Sequence, residues 1–216
     1  MIREFSGGDV VYLLLAARWT IALALTAAIG GGILGLIVAF ARIVPLRPLN
    51  WFAIAYINLI QGTPLLGQLF VLFFGLPLFG LPVDAWTAAA LGLSLYSSAF
   101  LGEIWRGSLQ SVPQRQWEAG ASVGLTYFQR FGYIIIPQAV RISIAPTVGF
   151  LVQLVKNTSI TALIGFVELT RASQIMTSAT FAPLKVYLTA AAIYFVVCFS
   201  LSQLSRILER RIHVAR

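Results

Sequence analysis

Few residues in this chain could do chemistry, and they lie far apart. Gln61, Thr63 and Gln68 flank Pro64 inside an apolar run, and Glu103 and Arg106 stand three apart, a spacing that shares one helix face. Glu118 opens a short helix-favouring stretch. Lys156, Asn157, Thr158 and Ser159 close another apolar run, with Glu168 and Arg171 shortly beyond. These groups are donors and acceptors able to hold a polar solute, whereas the arrangements that break bonds are missing. The only histidine, His213, sits in the tail, and a metal needs convergent ligands. The only cysteine, Cys198, lies in an apolar run and reads as a small hydrophobe. No His-Glu-x-x-His, Gly-x-Ser-x-Gly or Gly-Lys-Ser/Thr occurs, since Lys156 and Lys185 follow Val155 and Leu184. The chain is therefore expected not to be an enzyme, to bind no metal or other cofactor and to hold no ATP by that motif.

The elements that position these groups belong in a membrane. Hydrophobic residues make up 59% of the 216 and charged residues 10%, with mean hydropathy +0.88, whereas soluble domains carry about 25% charge. The formal charge of +8 does not indicate nucleic-acid binding, because the basic residues sit between apolar runs instead of forming one patch interleaved with aromatics. Uncharged stretches run from Trp19 to Ala41 (23 residues), Pro48 to Val83 (36), Ala85 to Gly102 (18) and Val186 to Ser205 (20). A span needs about 20 apolar residues. A further region, Phe131 to Val155, is interrupted only by Arg141; its first part suits the membrane surface and Ile142 to Val155 the interior. The expectation is an all-α integral membrane protein with five transmembrane helices, a single domain over 1–216. Val10 to Ala17 is expected to form an interfacial helix before the first span, and nothing suggests removal of the N-terminus. Thr158 to Pro183, with Glu168, Arg171 and many hydroxyls, reads as short helices and loop.

Charge asymmetry sets the direction. Ten basic residues (Arg42, Arg47, Arg106, Arg115, Arg130, Arg141, Arg206, Arg210, Arg211, Arg216) fall on one side and five (Arg3, Arg18, Lys156, Arg171, Lys185) on the other. By the positive-inside rule the N-terminus is outside and the C-terminus cytoplasmic. Several polar positions keep two readings. Pro64 is either an ordinary kink or a break whose freed backbone groups serve a ligand. Glu103 and Arg106 form either a structural interfacial pair or a substrate contact, as a charge at membrane depth costs about 2.5–3.5 kcal/mol. Lys156 either snorkels to the outer interface or lines the pathway. Gly31 and Gly35 permit close helix contact; the pair is either a chance occurrence, frequent in apolar helices, or a contact face for a second permease chain.

The cytoplasmic segment Ser111–Pro137 is the most informative. A helix-favouring run from Glu118 and Ala119 is broken by Gly124, and Pro137 suits the first turn of the next helix. The pattern Glu118-Ala119-Gly120, three residues, Gly124, nine residues, Ile134-x-Ile136-Pro137 resembles the coupling signature of ATP-binding-cassette importer permeases. The family pattern has Ala where Gly120 stands and Leu where Ile136 stands. Gln61-Gly-Thr-Pro64, Ser98-Ala-Phe-Leu-Gly-Glu-Ile-Trp-Arg-Gly107, Gln110-Ser-Val-Pro and Lys156-Asn-Thr-Ser followed by Ile-Gly-x-x-Glu-Leu-Thr170 are similar to the polar amino acid uptake group. The resemblance covers roughly Trp19 to Arg211.

It implies the five-helix type I importer permease fold with a cytoplasmic coupling helix, in the bacterial inner membrane. Implied partners are two ATP-binding-cassette ATPase subunits, a second permease chain (identical or paralogous), a periplasmic solute-binding protein, an amino acid and the lipid bilayer. ATP and Mg would belong to the ATPase. Glu118, Ala119, Gly120, Gly124 and Pro137 would couple to it, with Gln116 to Tyr127 as the docking helix. An amino acid needs donors for its carboxylate and acceptors for its ammonium. Gln61, Thr63, Gln68, Glu103, Arg106, Lys156, Asn157, Thr158, Ser159 and Glu168 are the candidates, with the Gln61 and Lys156 segments facing each other across the route and Glu168 reaching an ammonium or Arg171. Gln61 for a common Arg and Asn157 for a common Asp suit a less charged cargo. The alternative to an ATP-driven importer is an ion-coupled carrier or passive channel, which the odd span number and the coupling signature oppose.

Overall fold

The computed structural model describes residues 4–213, with side chains to 208; Arg3 and Arg216 lie outside the described residues, and the side chains of Arg210, Arg211 and His213 outside the described ones. The described chain is helical: α1 Gly7–Ile43, α2 Arg47–Gly62, α3 Leu65–Phe70, α4 Ala85–Gln110, α5 Gln114–Ser122, α6 Tyr127–Gln129, α7 Ile136–Asn157, α8 Leu169–Thr180 and α9 Pro183–His213.

The first helix differs from expectation. Val10 to Ala17 is not a separate interfacial helix but the unbroken start of α1, 37 residues long, or about 56 Å. Ser6 starts it, its N–H donating 2.8 Å to Asp9, and no Gly or Pro occurs from Asp9 to Ile29. Leu13, Ala16 and Ala17 then pack on Leu169, Ala172, Met176, Val186 and Ala190, so this part is held by α8 and α9. Further on, α1 turns large side chains outward (Leu25, Ile29, Ile33 and Ile37 are each at least 58% exposed) and small ones inward (Ala24, Ala27, Gly31 and Gly35). Such an inverted pattern suits a hydrocarbon solvent, where helices associate through close contact of small residues.

That small face meets α4. An ideal Cβ on Gly31 would lie 2.3 Å from the Ser97 Cβ, and one on Gly35 3.2 Å from the Leu101 Cβ. The Gly31/Gly35 face is thus consumed within the chain and is not a contact surface for a second permease. The core follows, with Leu23 and Ala27 of α1, Leu65 and Leu69 of α3, Ala88, Leu93 and Leu101 of α4 and Phe150 and Leu154 of α7 in one cluster.

Three described helical runs are long and apolar enough to cross a membrane (Gly7–Ile43, Tyr127–Ile164, Pro183–Leu208), and a fourth is if the pair Arg47–Gly62 and Leu65–Phe79 counts as one span. That pair is bent by 102° at Pro64, which donates no N–H and ends α2. The fifth expected span, α4, has 26 residues, about 39 Å. It is less apolar because its buried Ser94, Ser97 and Ser98 face protein; a central helix needs little lipid compatibility. Thr158 to Pro183 is indeed short: a 3-10 turn at Thr158–Ile164, then α8.

Candidate functional site

At the α2/α3 bend, the Pro64 ring frees carbonyls that the chain itself satisfies. The Gln68 amide donates to the Ile60 carbonyl (2.8 Å), the Thr63 carbonyl (3.2 Å) and the Thr63 hydroxyl (2.9 Å). Thr63 in turn donates to the Leu59 carbonyl at 2.7 Å, and Gln61 reaches the Ala99 carbonyl of α4 at 3.4 Å. Gln68 therefore recaps the broken helix with its nitrogen and leaves its buried Oε1 without a partner among the described residues. A cavity of about 450 Å³, lined by Thr63, Pro64, Gln68, Leu72 and Gly92, opens beside it. Close by, Tyr56 of α2 donates to the Leu95 carbonyl of α4 at 2.9 Å and lies 2.6 Å from the Ser98 hydroxyl.

The Lys156–Ser159 segment opens elsewhere. Lys156 is exposed and, with Val152 of α7 and Tyr194, Cys198 and Arg206 of α9, lines a groove of about 580 Å³. It forms no ion pair with a described residue. Asn157 is buried and accepts from Gln153 at 3.0 Å. The hydroxyls turn back on their own helix: Thr158 donates to the Val155 carbonyl (2.8 Å) and Ser159 to that of Lys156 (2.7 Å). Within one chain Thr63 and Gln68 thus line one cavity and Lys156 another. The reason is the 102° bend, which turns the polar groups of the break towards α4 while Leu65 and Leu69 pack on Leu154 and Ile164.

Glu168 is fully buried. It caps α8, accepting the Arg171 backbone N–H at 2.9 Å, and it accepts the Tyr194 hydroxyl at 2.8 Å and the Thr20 hydroxyl at 3.4 Å. Thr20 also accepts the Leu169 N–H at 3.1 Å. This junction ties α1, α8 and α9. The expected pairing with the Arg171 side chain does not form; that guanidinium donates to Gln174 at 2.9 Å, because capping aims the carboxylate at the backbone. Thr20 and Tyr194 went unforeseen, as single hydroxyls in apolar runs carry no periodic signal.

Glu103 binds two guanidiniums. Arg106 bonds it through Nε (2.9 Å) and Nη2 (2.6 Å), and Arg42 of α1 through Nε at 3.2 Å. Arg42 also donates to Asn50 of α2. The pair is an intramolecular tie of α1, α2 and α4, which favours the structural of the two sequence readings. Among the described residues, no three His, Cys, Asp or Glu gather into a metal-binding group.

The segment beyond α4 forms a helix, a turn and a second helix. Pro113 precedes α5, and α5 ends at Ser122, short of the expected Tyr127. Gly124 takes φ +78, the left-handed conformation that closes a helix and that L-residues disfavour. Its N–H donates to the Ala121 carbonyl at 3.0 Å and that of Leu125 to Gly120 at 3.1 Å. The chain is helical again from Tyr127, and Pro137 stands in the first turn of α7, as its position in the sequence suggested. A π-helical turn at Arg130–Ile135 widens the spiral just ahead of the proline, whose missing N–H a regular turn would leave as a gap. Trp117 stacks on Tyr127 and Phe131 at 5.4 and 6.2 Å, and Arg130 donates to the Trp117 carbonyl at 3.3 Å. A Cβ at Gly120 would lie 2.8 Å from Arg130 Cγ and Ile134 Cδ1. Gly120 is thus the inward contact of α5, leaving Glu118, Ala119, Ala121 and Val123 exposed.

This architecture has known counterparts. Residues 31–214 match the family described as binding-protein-dependent transport system inner membrane component. The L-cystine transport system permease protein TcyB of Bacillus subtilis (strain 168) is 40% identical over 195 residues, 90% of this chain and 83% of that protein. The glutamine transport system permease protein GlnP of Escherichia coli (strain K12) is 32% identical over 204 residues, 94% of this chain and 93% of that one. A crystal structure of an amino acid ABC transporter with histidines superposes with TM-score 0.89 at 35% identity, covering 93% of this chain and 94% of that chain. The MetNI methionine ABC transporter shares the fold at TM-score 0.80 and 18% identity. The chain belongs to the family of inner membrane components of binding-protein-dependent transport systems.

Proposed function

We propose that this chain is the permease subunit of an importer that moves polar amino acids into the bacterial cytoplasm. ATP is hydrolysed by two separate ATP-binding-cassette subunits, and a second permease chain completes the path. A periplasmic solute-binding protein delivers the cargo. The observation that carries this reading is the element beyond α4. A short helix presents Glu118, Ala119 and Ala121 outward, is anchored inward by Gly120 and ends in a left-handed Gly124. Small exposed residues allow close approach of a partner surface, and Glu118 can pair with a basic group. The relatives that transport cystine and glutamine support a polar amino acid as cargo. Lys156, which forms no ion pair with a described residue and lines the α7/α9 groove beside Tyr194, is the donor we assign to the cargo carboxylate. Asn157 stands behind it; the Gln61–Gln68 segment would reach the route from its own cavity. In this reading α5 and the C-terminus lie in the cytoplasm and the N-terminus outside, which the asymmetry of basic residues supports.

Uptake into proteoliposomes holding the assembled complex tests the reading. Uptake should need internal ATP, survive an uncoupler and be lost in Glu118→Lys while basal ATPase activity persists. Uptake that proceeds without ATP, or that collapses with the uncoupler, would make the chain a channel or an ion-coupled carrier.

A further inference from the structure

At the end of α4 remote from α5, three elements meet. They are α1 at Trp19, the start of α4 at Asp84 to Trp86, and the turn before α8 at Phe166 and Val167. Between them lies an open cleft of about 560 Å³. Its walls are aromatic, with Trp19 and Trp86 edge-on at 5.9 Å and Trp86 and Phe166 tilted at 5.3 Å. Trp19 is 44% exposed and Val167 42%, so these side chains do not complete the core. Asp84 stands at the mouth. The Thr87 hydroxyl and the Trp86 N–H (3.2 Å) donate to its carboxylate and hold its pKa below the usual carboxylate value, which keeps it charged. No described Lys or Arg pairs with it. The guanidinium of Arg18 lies instead 5.4 Å over the Trp19 ring, so one of these indoles already takes a cation on its face, as cation–π attraction favours.

We propose that this cleft seats an arginine or lysine side chain projected by the solute-binding protein, making it a docking notch on the outer face; the inference rests on the importer reading above. The chemistry fits a guanidinium or ammonium on an apolar stem: π faces for the stem and its cation, one fixed carboxylate for the charge. A free amino acid is a poorer occupant. Asp84 is exposed, and an exposed ion pair gains little while water competes. A side chain carried on a docked surface brings its own rim, which excludes that water and strengthens the contact. The position agrees, because α4 spans about 39 Å from this cleft to the coupling element. The family, moreover, is defined by dependence on a binding protein.

The test uses the intact permease–ATPase complex in lipid nanodiscs. The binding protein that stimulates the wild-type ATPase is titrated in, loaded with its amino acid. Asp84→Asn keeps an acceptor at the helix cap and removes the charge; Val167→Lys adds a repelling charge on the exposed rim. The binding-protein concentration for half-maximal stimulation should rise about threefold in Asp84→Asn and about tenfold in Val167→Lys, with basal and maximal ATPase rates unchanged. Unchanged half-maximal concentrations in both variants would overturn the notch while leaving the importer reading intact. So would variants that raise the half-saturating concentration of free amino acid in uptake without weakening the binding protein. A wild-type complex that no loaded binding protein stimulates would overturn the importer reading itself, and the notch with it.

Discussion

Gly31→Ala adds a single methyl group at the tightest contact of α1 with α4. The new Cβ would lie 2.3 Å from the Ser97 Cβ, 3.0 Å from the Ser94 carbonyl oxygen and 3.2 Å from the Ser98 nitrogen. Carbon atoms settle about 3.5–4.0 Å apart, so the helices must part locally by about 1.2–1.7 Å. No rotamer change relieves this, since every obstacle is backbone or the first atom of a side chain. The contact is close one turn on as well, where a Cβ at Gly35 would lie 3.2 Å from the Leu101 Cβ and 3.3 Å from the Ser98 carbonyl. Overpacking of a well-filled contact costs about 1–3 kcal/mol, and the rigidity of this one puts the expected loss at about 2–3 kcal/mol. Removing the opposing Cβ with Ser97→Gly should recover about half, as the Ser94 oxygen remains. Gly149→Ala, whose new Cβ meets nothing within 4 Å, is the control and should be neutral or slightly stabilising. Unfolding of the purified permease by dodecyl sulfate in mixed micelles, followed by tryptophan fluorescence, measures all four variants. A Gly31→Ala protein within about 0.5 kcal/mol of wild type, or strictly additive effects of the two changes, would refute the close approach.

Glu168→Ala leaves the Arg171 N–H and the Tyr194 and Thr20 hydroxyls without their acceptor, and should cost about 2–4 kcal/mol in the same assay. Glu168→Gln should cost clearly less because its carbonyl still accepts, and equal losses would show that charge rather than hydrogen-bond geometry holds the junction. At Gly124, with φ +78, Asn tolerates the left-handed conformation and Val does not. ATP-driven uptake should persist in Gly124→Asn and fall at least tenfold in Gly124→Val, with α-helical content unchanged; equal uptake in the two would mean that the turn is dispensable for coupling. In a Cys198→Ser background, single cysteines at positions 80 and 123 set the orientation. Position 80 should react with an impermeant maleimide from outside intact cells and position 123 only after permeabilisation, and the reverse pattern would invert the topology.

The signals legible in the sequence were those carried by length or by local stereochemistry. Uncharged runs bounded by charged residues marked α1, α4 and α9, and the absence of a further run marked Thr158 to Pro183 as short elements. Gly124 announced the end of α5, since few residues tolerate its backbone angle. What failed depended on partners distant in the chain. A Gly-x-x-x-Gly face says that something packs closely and not what, so Gly31 and Gly35 could not be assigned to Ser97 and Leu101 of the same chain. The polar groups near Pro64 looked like ligand donors, yet Gln68 spends its amide on carbonyls that the proline itself released. Glu168 looked available for a cation because the sequence does not reveal that Thr20, 148 residues away, and Tyr194 converge on it. Pro137 did mark the first turn of α7, while the π-helical turn ahead of it at Arg130–Ile135 has no sequence signature comparable to a cap.

The glycine–serine seam between α1 and α4 has a mechanical consequence. Two helices in contact at backbone distance resist bending far more than either alone, so the pair behaves as one stiff lever. One end of α4 carries α5 and the other the Trp86 cleft, about 39 Å apart. A tilt of about 5° around a mid-span pivot would then shift each end by roughly 1.7 Å in opposite directions, the scale of helix shifts that repack interfaces in switching proteins. The bent α2/α3 pair and the grooved α7/α9 pair lack such a seam and are the compliant parts of the chain. Force applied at α5 would reach the Trp86 cleft with little lost to flexure, and the deformation would concentrate at the cavities beside α2/α3 and α7/α9.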